Sequence, residues 1–194
     1  ALGLVGPMPS GPGVIPDELI SEIARSTPPP IATFLLTSAT SVMEIIKHHQ
    51  RTHTNTIQLV DALKVGTYKE LRLALPGIKL VQVIHVLDEK SVAEAIALSE
   101  MVDAILLDSG NPKLQVKELG VTGRTHNWKL SREIRNSIAI PVFLAGGLNA
   151  LNIQQTIHEV QPFGIDLCTG VRTGDKLDRE KLDHFVSLVR QSGV

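Results

Sequence analysis

Seven short apolar runs rich in Val, Ile and Leu recur along this chain, each followed by a stretch with helical spacing. The runs predict strands, and they cover residues 1–6, 31–37, 55–60, 79–86, 102–108, 140–145 and 164–170. Amphipathic segments predict helices at 16–25, 41–49, 91–100, 152–160 and 179–191, with another after Asn127, a suitable N-cap. Apolar strands that alternate with helices are typical of a parallel sheet covered by helices. The sequence therefore predicts an α/β fold of seven βα units.

Two architectures accommodate seven parallel strands. An open doubly wound sheet carries a Gly-x-Gly-x-x-Gly turn after its first strand, whereas this chain has the proline-rich "GPMPSGPG" there. A (βα)8 TIM barrel needs eight units, one more than the chain shows. We favour a fold of the (βα)8 TIM-barrel type, as a single domain over residues 1–194.

Composition excludes several classes of protein. The chain has 19 basic and 20 acidic side chains, and 3% of its residues are aromatic, which argues against a nucleic-acid-binding surface. No apolar run reaches the roughly 18 residues of a membrane span. A lone cysteine excludes an internal disulfide, no signal peptide is visible, and the histidines show no metal-ligand spacing. We therefore expect a cytoplasmic protein that binds a small molecule and needs neither metal nor cofactor.

Two adjacent glycines, Gly146 and Gly147, follow the sixth predicted strand in "PVFLAGGLN". They either relieve crowding in a tight turn or let the backbone close on an anion where a helix starts. Gly170 stands at the end of the seventh predicted strand, where the following loop begins. In a barrel these are the last two βα loops, where a phosphate group is often held. The placement favours phosphate binding.

Three segments in order, "LLDSG…GVTGRTHNW", "PVFLAGGLNALNI" and "PFGIDLCTGV", resemble the second half of the phosphoribosylanthranilate isomerase family of tryptophan biosynthesis. The resemblance implies an Amadori rearrangement, in which N-(5'-phosphoribosyl)anthranilate becomes the corresponding aminodeoxyribulose phosphate. An acid protonates the ribose ring oxygen and opens the ring, and a base then removes the C2′ proton. The implied partner is thus a small sugar phosphate.

The resemblance also implies roles for individual residues. The acid matches Asp108, at the end of the fifth predicted strand, although this residue could simply cap the following turn. The implied phosphate ligands are the backbone groups of four residues: Gly146, Gly147, Gly170 and Val171. Further implied or conjectured substrate contacts are Gly123, Arg124, His126 and Asp166, the last of which could equally be a polar residue of a barrel layer.

Two family features have no counterpart here. The family's base is a cysteine in a "KICG"-like first strand, which suggests that this chain lacks the first βα unit and is incomplete at the N-terminus. The family's arginine for the anthranilate carboxylate falls nearest to Gly13, which has no charge. His85 and Cys168 are candidate surrogate bases; the alternatives are a core histidine at a strand end and a small buried residue. His48, His49 and His53 lie in patterns typical of a surface.

Alternative functions follow from these departures. Without a charge at Gly13, the chain could act on a different aminoribose phosphate, or it could be a phosphate-binding barrel without catalysis. A barrel with seven strands would also leave the strands at 1–6 and 164–170 beside an open slot. Unpaired strand edges attract further strands, so we expect homo-oligomers that form through this open edge.

Overall fold

Seven parallel strands alternate with seven α-helices in the computed structural model, which describes residues 1–9, 13–108 and 127–193. The strands are β1 (Leu2–Val5), β2 (Thr33–Thr37), β3 (Thr56–Leu59), β4 (Lys79–His85), β5 (Ala104–Asp108), β6 (Val142–Leu144) and β7 (Gly164–Ile165). The helices are α1 (Asp17–Ser26), α2 (Val42–Thr52), α3 (Tyr68–Ala74), α4 (Lys90–Ser99), α5 (Trp128–Ser137), α6 (Ile153–Val160) and α7 (Arg179–Gln191). A short antiparallel hairpin, β8 (Arg172–Thr173) with β9 (Lys176–Leu177), precedes α7.

The chain folds as two compact units, the first formed by residues 1–83 and 100–104. Within it the parallel strands pair in chain order, with Leu2 opposite Thr33 and Thr56 opposite Lys79. Leu4, Ile20 and Leu35 form a core between β1, β2 and α1. Ile20 is fully buried, and the burial of such a side chain contributes about 1.5–3 kcal/mol.

β1 has one edge on β2 and one edge facing away from it. The N–H groups of Leu2 and Gly6 donate to carbonyls of the β2 segment. In a parallel pair the intervening residues, Gly3 and Val5, direct their backbone groups to the opposite edge. There the Val5 carbonyl accepts a hydrogen bond from the N–H of Ile15 at 3.0 Å.

The second unit holds residues 84–99 and the described residues from 105 onward. Its strands are again parallel and in chain order, with Ile105 opposite Val142 and Phe143 opposite Gly164. Chain-order pairing with one helix after each strand is the (βα)8 pattern, whereas a doubly wound sheet reverses its order. The predicted α/β fold of the TIM-barrel type, with seven βα units, is confirmed.

The last predicted strand is wrong beyond Ile165. The N–H of Asp166 still bonds to the Leu144 carbonyl at 2.9 Å, but the chain then leaves the sheet. Residues Thr169–Val171 form a single 3-10 turn instead. The apolar alternation of this segment persists because Ile165 and Leu167 pack on α6 and α7, whether or not they belong to a strand.

The surface placement predicted for two histidines is also wrong. His48 and His49 are buried on the inner side of α2. His48 accepts or donates on both ring nitrogens, to Thr37 Oγ1 at 2.9 Å and to Asp17 Oδ1 at 3.0 Å. His49 Nε2 meets the Thr54 carbonyl at 2.8 Å. In the part of the chain that the structure describes, no helix is both long and apolar enough to cross a membrane.

Candidate active site

The carboxyl ends of three strands, β4, β5 and β6, are aligned by backbone hydrogen bonds within the second unit. The N–H of Val86 donates to the Asp108 carbonyl at 3.0 Å, which joins the ends of β4 and β5. The N–H of Ala145 donates to the Leu107 carbonyl at 2.8 Å, which joins β5 to β6. Side chains at these ends therefore lie at one edge, where the active sites of parallel α/β folds are found.

Three titratable side chains share the sheet face that is turned away from the helices. Ile165 and Leu167 pack against α6 and α7. Successive residues of extended chain point to opposite faces, so Asp166 points the other way. Its carboxyl group interacts electrostatically with that of Asp108. His85, at the end of β4, places Nδ1 3.9 Å from Asp108 Oδ2.

The side chain of His85 is nearly buried, but its ring nitrogens make no hydrogen bond within the described residues. The side chain is 10% exposed. Within the described ranges, neither Nδ1 nor Nε2 of His85 has a hydrogen-bond partner. Most buried polar atoms in proteins are hydrogen-bonded, because an unsatisfied buried donor or acceptor costs about 1–3 kcal/mol. Such an exception beside a carboxyl group is typical of a functional site.

Asp166 keeps its proton more readily than an ordinary aspartate. The residue as a whole is exposed to solvent, but nearby protein atoms partly desolvate its carboxyl group. This desolvation raises the pKa of Asp166, and repulsion by Asp108 raises that pKa further. A hydrogen bond from the Leu167 backbone opposes the rise. Two coupled carboxyl groups of this kind can hold one proton between them at higher pH than either would alone.

The loop after β6 is shaped by its glycines and closed by two asparagines. Gly146 and Gly147 have φ values of 83° and 66°, a left-handed conformation that glycine adopts without steric cost. Asn149 and Asn152 donate side-chain amide hydrogens to the Gly147 carbonyl at 3.1 and 3.0 Å. A trans peptide directs its C=O and N–H to opposite sides. The N–H of Leu148 therefore points away from the asparagines.

Helix α6 begins at Ile153, one residue after the start of the helix predicted at 152–160. The glycine pair therefore shapes a loop and does not itself open the helix. The two asparagines were not singled out from the sequence. The signal was nonetheless present, since asparagines that follow glycines commonly bond to nearby backbone and fix turns.

Gly170 lies where the loops after β6 and β7 touch. A Cβ atom there would collide with the Leu148 carbonyl oxygen and would lie 3.1 Å from Leu167 Cδ1. Only glycine fits this approach. Val171 is buried against Ile153, Ile157 and Phe185, which anchors the 3-10 turn. The backbone segments expected to bind phosphate are thus adjacent.

The remaining sequence candidates have different outcomes. Cys168 is exposed and precedes the 3-10 turn, so the expectation of a small buried residue is wrong. Desolvation raises the pKa of its thiol, which makes it a poorer base at neutral pH. Gly13 adopts φ 79°. Gly123, Arg124 and His126 lie outside the described residues. Among described residues, no cluster of three or more His, Cys, Asp or Glu could hold a metal ion.

Comparisons with known proteins agree with the fold. The family model "N-(5'phosphoribosyl)anthranilate (PRA) isomerase" matches residues 17–188. A protein of that name from Methanocella arvoryzae is 29% identical over 191 residues, 98% of this chain and 87% of the relative. N-(5'-phosphoribosyl)anthranilate isomerase 2 from Methanosarcina mazei is 31% identical over 188 residues, 96% of this chain and 82% of the relative. The solved phosphoribosyl anthranilate isomerase of Thermotoga maritima superposes with a TM-score of 0.79 and 25% identity, covering 97% of this chain and 87% of that one.

Proposed function

The chain belongs to the N-(5'-phosphoribosyl)anthranilate isomerase family, and we propose that its active site is the edge formed by Asp108, Asp166 and the loops around Gly147 and Gly170. The activity is the isomerisation of N-(5'-phosphoribosyl)anthranilate, a step of tryptophan biosynthesis. The observation that carries the assignment of the site is a buried carboxyl group at the end of β5, together with two glycine loops that follow the next two strands and touch at Gly170.

Asp108 is the general acid of this proposal. Its side chain is buried at the end of β5 and faces a second carboxyl group, Asp166, that resists ionisation. Transfer of a proton from Asp108 to the ribose ring oxygen breaks the C1′–O bond, while the anilino nitrogen forms a C=N⁺ bond to C1′. Loss of the C2′ proton then gives the enolamine, which tautomerises to the amino ketone. The acid step contributes about 10²–10⁴-fold to rate.

The two glycine loops hold the substrate phosphate. The Gly147 carbonyl is turned towards Asn149 and Asn152, which leaves the next N–H aimed away from them. The 3-10 turn at Gly170 offers a second backbone segment next to it. Backbone N–H groups in such concave loops bind anions because their partial positive charges converge. A side chain at either glycine would hold the phosphate away.

Asp108→Asn tests the acid directly. The substitution preserves size and hydrogen bonding but removes the transferable proton. We expect turnover to fall by about 10²–10⁴-fold while the affinity for inorganic phosphate changes little. Asp183→Asn, an exposed change on α7, is the control and should behave like the parent. Turnover of Asp108→Asn equal to that of the parent would remove this residue from the mechanism.

A second candidate substrate follows from Gly13. This position has no charge with which to bind the anthranilate carboxylate. A different aminoribose phosphate without that carboxylate is therefore the alternative. Comparison of kcat/KM for the anthranilate compound and for an aminoribose phosphate without the carboxylate decides between them. A preference for the anthranilate compound excludes the alternative.

The setting of the activity completes the proposal. A small sugar phosphate is the partner, and the chain works in the cytoplasm without nucleic acid or membrane. We also propose that copies of the chain associate through the edge of β1 that faces away from β2. At this edge the Val5 carbonyl is already bonded to Ile15, whereas Gly3 is exposed and Leu2 beside it is 42% exposed.

A further inference from the structure

We propose that Thr37, His48 and Asp17 form a proton-sensitive relay of hydrogen bonds. The relay holds the segment after β1 while His48 is neutral and releases it when His48 is protonated. It joins three elements, since Thr37 ends β2, His48 lies in α2 and Asp17 begins α1. All three residues belong to the first unit, whereas the proposed active site belongs to the second, so the proposed function does not depend on the relay.

The direction of each hydrogen bond in the relay follows from what its members can donate. The Asp17 carboxylate accepts from Arg51 Nε at 2.6 Å and, with no hydrogen of its own, also accepts from His48 Nε2 at 3.0 Å. In a neutral ring with its hydrogen on Nε2, Nδ1 has a free electron pair, which accepts from the Thr37 hydroxyl at 2.9 Å. That hydroxyl accepts in turn from the N–H of Ala39 at 3.3 Å. Neutral His48 therefore satisfies all of these groups at once.

Protonation of His48 disrupts the half of the relay that faces β2. An imidazolium ring carries hydrogen on both nitrogens, so Nδ1 no longer accepts from the Thr37 hydroxyl. Thr37 is buried, and a buried donor without an acceptor is unfavourable. The hydroxyl group must then turn towards another acceptor, which weakens its bond to the N–H of Ala39.

The surroundings of His48 oppose its protonation in the closed relay. Burial lowers the pKa of His48 from 6.5, Asp17 on α1 raises it, and Arg51 and His49 on α2 lower it. The ends of β1 and β2 face the ring with uncharged groups. An open state, in which the ring reaches solvent, titrates nearer to its ordinary value. Below pH 6.5 the open state therefore binds a proton that the closed state does not, and the open fraction rises by up to about tenfold per pH unit.

The segment after β1 depends on the ring of His48 at both of its ends. A Cβ atom at Gly6 would lie 2.5 Å from Cε1 and 2.7 Å from Nε2 of that ring, so the chain passes directly over the imidazole. At the other end, the N–H of Ile15 bonds to the Val5 carbonyl at 3.0 Å, two residues before Asp17. The segment between these ends contains Gly13, the position nearest to the family's arginine for the anthranilate carboxylate.

Amide hydrogen exchange of the whole chain, followed by NMR between pH 7 and pH 5, tests the proposal. After correction for intrinsic exchange rates, the protection of the Ala39 and Ile15 amides should fall at least about fivefold, within the limit of about tenfold per pH unit. The amide of Leu75, which bonds to the Leu71 carbonyl in α3, should keep its protection. Unchanged protection of Ala39 and Ile15 would overturn the proposal. An equal fall at Leu75 would also overturn it, because the change would then be global unfolding.

Charge variants separate a proton-sensitive relay from a merely structural contact. Asp17→Asn removes the negative charge that favours imidazolium, so protection should be lost at lower pH than in the parent. Arg51→Gln removes a positive charge, so protection should be lost at higher pH. In His48→Gln the protection of Ala39 should no longer depend on pH. Midpoints that shift in the same direction, or not at all, contradict the proposal.

Two further measurements examine the closed state. At pH 7 the ¹⁵N resonances of the His48 ring should show hydrogen on Nε2, and hydrogen on Nδ1 would contradict the relay. Gly6→Ala should displace the ring and expose the Ile15 amide to exchange already at pH 7. Gly3→Ala, whose added Cβ makes an ordinary 3.6 Å contact, is the control and should keep the protection of the parent. If Gly6→Ala exchanges like Gly3→Ala, the ring does not hold the segment.

Discussion

At the scale of single residues, Gly170 links the fold to the proposed phosphate site. An alanine methyl group there would collide with the Leu148 carbonyl oxygen, which belongs to backbone and cannot easily move. Gly170→Ala should therefore separate the two loops and weaken binding of inorganic phosphate at least about tenfold, a loss of roughly 1.4 kcal/mol. Gly3→Ala is the control, because its added Cβ would make an ordinary 3.6 Å contact with Leu36. Isothermal titration calorimetry measures the affinity of both variants for inorganic phosphate. Equal affinities of Gly170→Ala and Gly3→Ala would place the phosphate elsewhere.

His48 provides a residue-scale prediction about pH. Burial lowers the pKa of His48 from 6.5, while Asp17 raises it and Arg51 and His49 lower it. Below pH 6.5 the unfolded chain therefore binds a proton that the folded chain does not, until the pH reaches the folded-state pKa. The free energy of unfolding must fall over this range, by at most about 1.4 kcal/mol per pH unit for one proton. Urea unfolding measured between pH 7 and pH 5 should show that the free energy of unfolding of His48→Gln depends less on pH than that of the parent. An identical pH dependence would contradict the lowered pKa of His48.

At the scale of elements, α3 depends on its first turn. Thr67 accepts a hydrogen bond from the N–H of Glu70 at 3.2 Å, and Glu70 accepts one from the N–H of Thr67 at 2.7 Å. Thr67→Ala should lower the free energy of unfolding by about 1 kcal/mol. Ser41, the N-cap of α2, makes no side-chain capping bond, so Ser41→Ala should change it much less. Equal urea midpoints for the two variants would show that the capping box does not stabilise α3.

The elements also show what the sequence could and could not predict. The long apolar runs predicted six strands well, because a buried parallel strand needs such residues on both faces. The seventh strand was predicted too long, because Leu167 is apolar for a reason unrelated to strand pairing. Helix α3 was missed although the pattern Thr67-x-x-Glu70 is a capping signal. The hairpin β8–β9 was missed although Gly174 and Asp175, both with positive φ, are typical of its turn.

Some features of the candidate site could likewise be predicted from the sequence, and others could not. Asp108 and the glycine loops could be located because strand ends and adjacent glycines are visible as local patterns. The 3.9 Å approach of His85 to Asp108 joins residues on different strands, and no local pattern encodes such a distance. The exposure of Cys168 and the burial of His48 likewise depend on where each segment leaves the sheet or turns its helix.

At the scale of the whole molecule, the proposed association through the outer edge of β1 can be tested by placing a charged side chain on that edge. Lysine on an edge strand opposes pairing with another strand. Leu2→Lys should therefore lower the concentration-dependent increase in mass measured by light scattering. Leu73→Lys, which alters a 74% exposed leucine on α3, is the control and should associate like the parent. If the mass of both variants increases equally with concentration, the contact between copies lies away from β1.

The chain-order pairing of the strands has a consequence for synthesis on the ribosome. Leu2 pairs with Thr33, Thr56 with Lys79 and Phe143 with Gly164, so each strand's next partner is encoded only a few tens of residues downstream. A nascent chain can therefore add one βα unit at a time as it emerges, and each added helix covers the apolar strand made just before it. Short closure distances of this kind lower the entropic cost of pairing and shorten the exposure of unpaired strands to aggregation.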